Sequence, residues 1–441
     1  MQRIRPDLLF HETLGLIRRA ECRSRKYFRH VPAHSLMAAK LPARSVALGT
    51  VPVRSANTLE VRTQQREQIP FTGMELTFLG TSAGSPSVRR SPTGVCLRLA
   101  TQNWMFDCAE GSLRQLMKST TRVPLTTKFF ISHLHGDHLY GLPGILCTLD
   151  NHNAAYVDPR TRARAPRPIS VYGPIGLFSY LNSVFATSST RLTNIVITVY
   201  ELASPELLRK VTPHERFMHN APVHASLRRE TIHADFDGNG WVWNVLDDGY
   251  VKVTAATLKH TVTSFGYVIQ EHDVPGKLNV EALLARGLQP GPLYRALKRG
   301  ENATLPNGDI IRPSEVTGPA IRGRKVVVLG DTADSARMFD IARNCDVLVH
   351  EATLNHEMAT QAVHRGHSTA KMAGFTARKV NATLLALTHF SHRFRHWTGE
   401  RDTKTTLHLV EEARRSFGRR AVIAASDFLR IPIPRHLPNQ Q

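Results

Sequence analysis

Three histidines and an aspartate crowd into six residues, His133-Leu134-His135-Gly136-Asp137-His138, directly after the apolar run Lys128-Phe129-Phe130-Ile131-Ser132. So many polar groups at the end of a buried strand cannot all be satisfied by packing, because each would carry polar atoms into an apolar layer. A divalent metal resolves the conflict. On an extended loop, alternation sends His133 and His135 to one side, and a turn at Gly136 lets Asp137 and His138 face a second position, so the spacing suits two adjacent ions. The same design recurs downstream: Asp331 ends Val326-Val327-Val328-Leu329-Gly330, and His389 ends Leu384-Leu385-Ala386-Leu387-Thr388. Each strand would deliver one ligand at its end, which is how a sheet assembles a site from distant sequence. The donors are nitrogen and oxygen without sulfur, which suits Zn(II), with Mn(II) as the alternative.

These ligands need a sheet to hold them. Met74-Glu75-Leu76-Thr77-Phe78-Leu79-Gly80 alternates as a strand and runs into the small-residue turn Thr81 to Pro86; further strands are expected at Val95 to Leu99 and Trp104 to Asp107, and a helix at Ser112 to Ser119. With 441 residues, 41% of them hydrophobic, a large core is within reach, and no run of about 18 apolar residues exists to span a bilayer, so no membrane partner is expected. Lys and Arg total 57 against 36 Asp and Glu, a net charge of +21 that favours a polyanionic partner such as nucleic acid. Residues 1–70 hold +8 of that surplus. Rich in Arg and lacking a continuous apolar stretch, they read as a basic leader, a transit peptide for mitochondrion or plastid, or else a disordered arm of a cytoplasmic or nuclear protein. Cys22, Cys96, Cys108, Cys147 and Cys345 show no CxxC spacing and read as reduced thiols.

The stretch from His133 through Leu139-Tyr140-Gly141-Leu142-Pro143-Gly144 resembles the metal signature of the metallo-β-lactamase superfamily and, within it, of tRNase Z, the tRNA 3′-processing endonucleases. Four more segments carry that resemblance: His260 to Tyr267, His350-Glu351-Ala352-Thr353, Gly366-His367-Ser368-Thr369, and the Gly/Pro-containing stretch with Gly291-Pro292-Leu293-Tyr294. It implies an α/β fold, the metallo-β-lactamase αββα sandwich, with residues 271–322 inserted as a flexible tRNA-binding arm. One zinc would take His133, His135, His260 and Asp331, the other Asp137, His138, Asp331 and His389. Asp137 would orient or deprotonate the attacking water, and His367, oriented by Glu351, would protonate the leaving ribose oxygen, which departs poorly as an anion. Ser368 and Thr369 also suit a helix N-cap before Ala370. Tyr294, Arg295, Lys298 and Arg299 of the arm, and Arg90, would contact RNA.

The activity so implied is endonucleolytic removal of the 3′ trailer from precursor tRNA, by a homodimer in which one subunit's arm serves the other's site. The competing readings are another hydrolase of the fold, acting on a small thioester, lactam or phosphodiester, and an RNA-binding protein that has lost catalysis. This chain departs from the tRNase Z pattern in three places. Residues 86–91 read Pro-Ser-Val-Arg-Arg-Ser where a Lys and an Arg-Asn pair are usual; residues 202–248, with His214, His219, His224 and His233, are expected to be a loop thrown out from the sheet; and His392 and Phe394 stand where a small residue and a Tyr are common.

Overall fold

The continuous apolar runs make sense once both faces of their strands are covered. In the computed structural model, which describes residues 71–211, 222–305, 307–395 and 404–436, eighteen strands are present among the described residues. The leader expected at 1–70, and with it Cys22, His214 and His219, lies outside them.

The first sheet contains β1 (Met74–Gly80), β2 (Gly94–Leu99), β3 (Asn103–Phe106), β4 (Thr126–Phe130), β5 (Arg167–Pro174), β6 (Ile195–Ala203) and β7 (Leu227–His233), with β18 (Arg430–Pro432) on its other edge. It is antiparallel from β18 to β3 and parallel from β3 to β7. The second runs in the order β17 (Val422–Ala424), β16 (Leu384–Thr388), β15 (Val347–Glu351), β14 (Lys325–Leu329), β11 (Ser264–Glu271), β10 (Val251–Leu258), β9 (Trp241–Asp247) and β8 (Asp235–Phe236). The short pair β12 (Ala303–Thr304) and β13 (Ile310–Ile311) lies apart.

The two sheets face each other across one core, and helices cover both outer faces, the αββα layering that was expected. In β14, Val326 and Val328 enter the core between the sheets, while Val327 and Leu329 enter the layer shared with the helices Ala370–Lys379 and Thr406–Phe417. A third cluster packs β4, β5 and β6 against Ser112–Lys118, Leu142–His152 and Leu177–Thr187. Stacked rings form the centre of the inter-sheet core: Phe106 on Phe130 at 4.9 Å, Phe130 on Tyr172 at 5.0 Å, and Tyr172 on Tyr200 at 4.8 Å. From the opposite sheet, Tyr267 donates its hydroxyl to the Ile131 carbonyl at 2.7 Å. That bond fixes the end of β4 two residues before His133.

One expectation about the inserted segments needs correction. Residues 202–248 are not a loop: they supply β7, which extends the first sheet, and β8 and β9, which extend the second. Trp243 is fully buried and donates its indole N–H to the Ala203 carbonyl at 3.0 Å, tying β9 of the second sheet to the end of β6 in the first. The 271–322 segment contains three short helices and the β12–β13 hairpin around a small core of its own, including Leu283, Leu297, Ile311 and Val316.

Candidate metal centre

Every expected ligand lies where a strand ends. His133 follows β4, His260 lies in the turn from β10 to β11, and Asp331 and His389 follow β14 and β16. Asp137 and His138 sit on the one-turn helix Gly136–Leu139 that continues from His133 and His135. Glu351 ends β15, and His367 precedes the helix Ala370–Lys379, whose N-cap is Thr369 with its side chain accepting from the Met372 amide.

The hydrogen bonds assign the protons on four imidazoles. Asp107, at the end of β3, accepts the Ser132 hydroxyl and His138 Nδ1–H on Oδ2, each at 2.7 Å, and the Ser132 amide on Oδ1 at 2.7 Å. Having given its proton to Asp107, the Ser132 hydroxyl accepts from His133 Nδ1–H at 2.9 Å. Thr353 donates to Glu351 Oε2 at 2.5 Å and therefore accepts from His389 Nδ1–H at 2.9 Å. His260 Nδ1–H donates to the Gly366 carbonyl at 2.7 Å; Gly366 has φ +79, and a Cβ there would lie 2.6 Å from His260 Nδ1, so glycine is required. Each ring thus donates through Nδ1 and aims Nε2 at the centre, the orientation a metal ligand needs.

Those nitrogens converge. His138 Nε2 lies 3.4 Å from His389 Nε2 and 3.5 Å from Asp331 Oδ2; His389 Nε2 is 3.3 Å from Asp331 Oδ2 and 3.4 Å from Asp137 Oδ2. His260 Nε2 faces His135 Nδ1 at 3.3 Å. His133 Nε2 is buried without a hydrogen-bond partner and lies 3.9 Å from Asp331 Oδ2. Facing lone pairs repel, and a buried imidazole nitrogen without a partner costs kilocalories, so this arrangement is built for cations. The donors fall into four overlapping groups, His133/His135/His260, His133/His138/Asp331, Asp137/His138/His389 and Asp331/His367/His389, with Asp331 reaching His133, His138 and His389.

The electrostatics follow the same plan. Burial, reinforced by the neighbouring imidazoles, holds His133 and His135 below the ordinary histidine value, so both are neutral at pH 7. His138 is buried too, which alone would lower it, but Asp331 and Asp107 carry it well above that value, so its Nε2 holds a proton that a bound cation would displace. Burial pushes the Asp137 and Asp331 carboxyls up, yet the surrounding histidines hold both below the usual carboxylate range. For His367 burial also lowers the value, and the Glu351 carboxylate, 3.3 Å from Nδ1, outweighs it and raises it to about 9. Glu351 is itself fixed by the Thr332 amide at 2.6 Å and by Thr353.

A cleft of about 430 Å³ leads to the centre, with the exposed guanidiniums of Arg365 and Arg393 at its rim. Two residues expected at the RNA have other duties. Arg90 is only 7% exposed; its guanidinium donates to Thr81 Oγ1 and the Ala425 carbonyl and lies 4.8 Å from the Phe390 ring, so the outward cation of that loop is Arg89. Tyr294 packs on the small core of the 271–322 segment and donates its hydroxyl to the Leu288 carbonyl at 3.0 Å. Arg295, Lys298 and Arg299 are exposed, Arg299 being paired with Glu301 through two contacts of 2.7 and 2.9 Å. Asp107, Ser132 and Thr353 were not anticipated as site residues. For Asp107 a signal existed, since it ends the apolar strand Asn103–Phe106 as Asp331 ends β14.

Profile models of known families give no match to the chain. Individual proteins do. The chain is 36% identical over 371 residues to zinc phosphodiesterase ELAC protein 1 of Homo sapiens, covering 82% of this chain and 99% of that one. It is 35% identical over 359 residues to ribonuclease BN of Escherichia coli, covering 80% and 98%. Among solved structures it resembles human tRNase Z, short form, with a TM-score of 0.52 and 28% identity over 82% of this chain and 100% of that chain.

Proposed function

The chain belongs to the tRNase Z family, and from that premise we propose that it is a zinc-dependent endoribonuclease that removes the 3′ trailer from precursor tRNA and leaves a 3′-hydroxyl. The observation that carries the reading is the set of Nε2 atoms converging on Asp331. His133, His135, His260 and Asp331 would hold one zinc, and Asp137, His138, Asp331 and His389 the other. Zinc supplies polarisation of the scissile phosphate and of the attacking water.

The remaining work falls to the chain. Asp137, anionic and held by the Gly84 amide at 2.7 Å, is placed to orient the water and take its proton. His367, kept protonated by Glu351, delivers a proton to the 3′ oxygen of the departing tRNA. Arg365 and Arg393 meet the flanking phosphates, while Arg295, Lys298 and Arg299 grip the tRNA body through its backbone, a contact that positions RNA without reading sequence. The finer reading is a homodimer, with the arm of one subunit reaching the cleft of its partner.

The test is incubation of the zinc-loaded chain with a precursor tRNA carrying a 3′ extension, with the same tRNA already ending in CCA, and with a thioester. We expect a mature 3′-hydroxyl end and a trailer bearing a 5′-phosphate. Thioester hydrolysis without RNA cleavage would overturn the proposal. The CCA-ended substrate reads whether residues 86–91, with Val88 pointing into solvent, still protect a finished end. A monomer by sedimentation would remove the dimer while leaving the activity standing.

A further inference from the structure

His392 stands where a small residue is common in the family, and the structure gives it a specific task. Its Nε2 lies 2.8 Å from the Ser85 carbonyl and 2.9 Å from Ser82 Oγ. A carbonyl only accepts, so Nε2 carries the proton and donates. Two residues earlier in the same segment, the Phe390 carbonyl accepts the Ala83 amide at 3.1 Å, and the Phe390 amide donates to the Thr81 carbonyl at 2.9 Å.

Residues 390–392 therefore hold the 81–85 turn on both sides of Gly84. Gly84 has φ +72 with nothing within 4 Å of a Cβ, so the position needs glycine for its backbone conformation, not for space. In that conformation its amide points at Asp137 Oδ2, at 2.7 Å. The segment that fastens the turn begins next to His389, whose Nε2 approaches the same Asp137 oxygen at 3.4 Å. Asp137 is thereby aligned from two directions by one stretch of chain.

We infer that His392 is a positioning residue: by holding the Ser85 carbonyl it keeps the Gly84 amide on Asp137 and fixes the carboxylate in a single orientation. Its role as a brace for catalysis rests on the functional reading above; its role in holding the turn does not. Because the brace acts on a group at the reacting centre and not on the RNA grip, it governs kcat and zinc retention in preference to KM.

The experiment compares wild type with His392→Ser and His392→Gln in the full-length zinc-loaded chain. Ser cannot reach Ser85, whereas the Gln amide can still donate to that carbonyl. Three quantities are read: amide hydrogen exchange of the peptide containing Gly84, zinc affinity by chelator competition, and kcat and KM on precursor tRNA. In His392→Ser we expect faster exchange at Gly84, zinc affinity weakened about threefold to tenfold, and kcat down by a similar factor with KM unchanged, the scale of losing one hydrogen bond. His392→Gln should recover most of all three. Unchanged exchange and zinc affinity in His392→Ser would overturn the inference, as would faster exchange with kcat intact, or a Gln variant no better than Ser. Should wild type fail to cleave precursor tRNA, the functional reading falls, while exchange and zinc affinity still decide whether His392 holds the turn.

Discussion

Asp107 touches no substrate and stands outside the donor groups, yet it fixes a ligand of each proposed zinc position. Replacing it by Asn keeps the volume and removes the charge. The native carboxylate accepts three hydrogen bonds of 2.7 Å, one on Oδ1 and two on Oδ2. An amide has a single carbonyl oxygen, so if that oxygen stays with the Ser132 amide, its NH2 faces two donors, His138 Nδ1–H and the Ser132 hydroxyl. The cheapest escape is for His138 to move its proton to Nε2, which removes it from the donor set. Loss of such an outer partner weakens metal binding by about 10- to 100-fold, or roughly 1.4 to 2.7 kcal/mol. We expect that loss at the position served by His138 and a smaller one at the position served by His133, which feels Asp107 only through Ser132. Ser132→Ala should show the reverse order. Zinc titration against a chromophoric chelator resolves the two equilibria, with circular dichroism reporting the fold. If Asp107→Asn folds and binds both ions within threefold of wild type, the proton assignment at this centre is wrong.

Three further outcomes follow from the same geometry. With His367 at about 9, single-turnover cleavage should lose its acid near pH 9; in Glu351→Gln the largest raising partner is gone while Asp331 remains, so the alkaline limb should move to lower pH and the rate at pH 8 should fall. A pH profile whose alkaline limb stays in place would exclude His367 as the acid. Changing Arg295 and Lys298 together to Ala should raise KM several-fold with kcat unchanged and flatten the salt dependence of binding; a fall in kcat alone would take these cations away from the RNA. Residues 1–70 fused to a fluorescent protein should direct it to mitochondria or plastids, and a diffuse signal would refute the transit-peptide reading.

The candidate ligands were legible because a polar residue that terminates an apolar strand has little reason to be there except function, and His133, Asp331 and His389 each do so. The outer partners were harder to see. Ser132 and Thr353 are ordinary hydroxyl residues until the fold places them beside His133 and His389, and which of Arg89 and Arg90 turns inward is decided by Ala425, 335 positions away in the chain. Tyr294 looked like a stacking ring, but with Leu293 and Leu297 it belongs to the buried side of a seven-residue helix. Of the 202–248 strands, β7 is hard to read from sequence because it is polar along most of its length and lacks strict alternation.

That polarity has a consequence for how the protein behaves in a crowded solution. Among the described residues β7 ends the first sheet, and an open edge of backbone groups invites a strand from another molecule. Here the edge carries Arg228, Arg229 and Glu230 in succession, with Arg229 committed to the buried Glu201 at 2.8 Å. An incoming strand would have to strip water from these charges and break that pair, so the segment that lengthens the sheet also discourages uncontrolled aggregation at its edge.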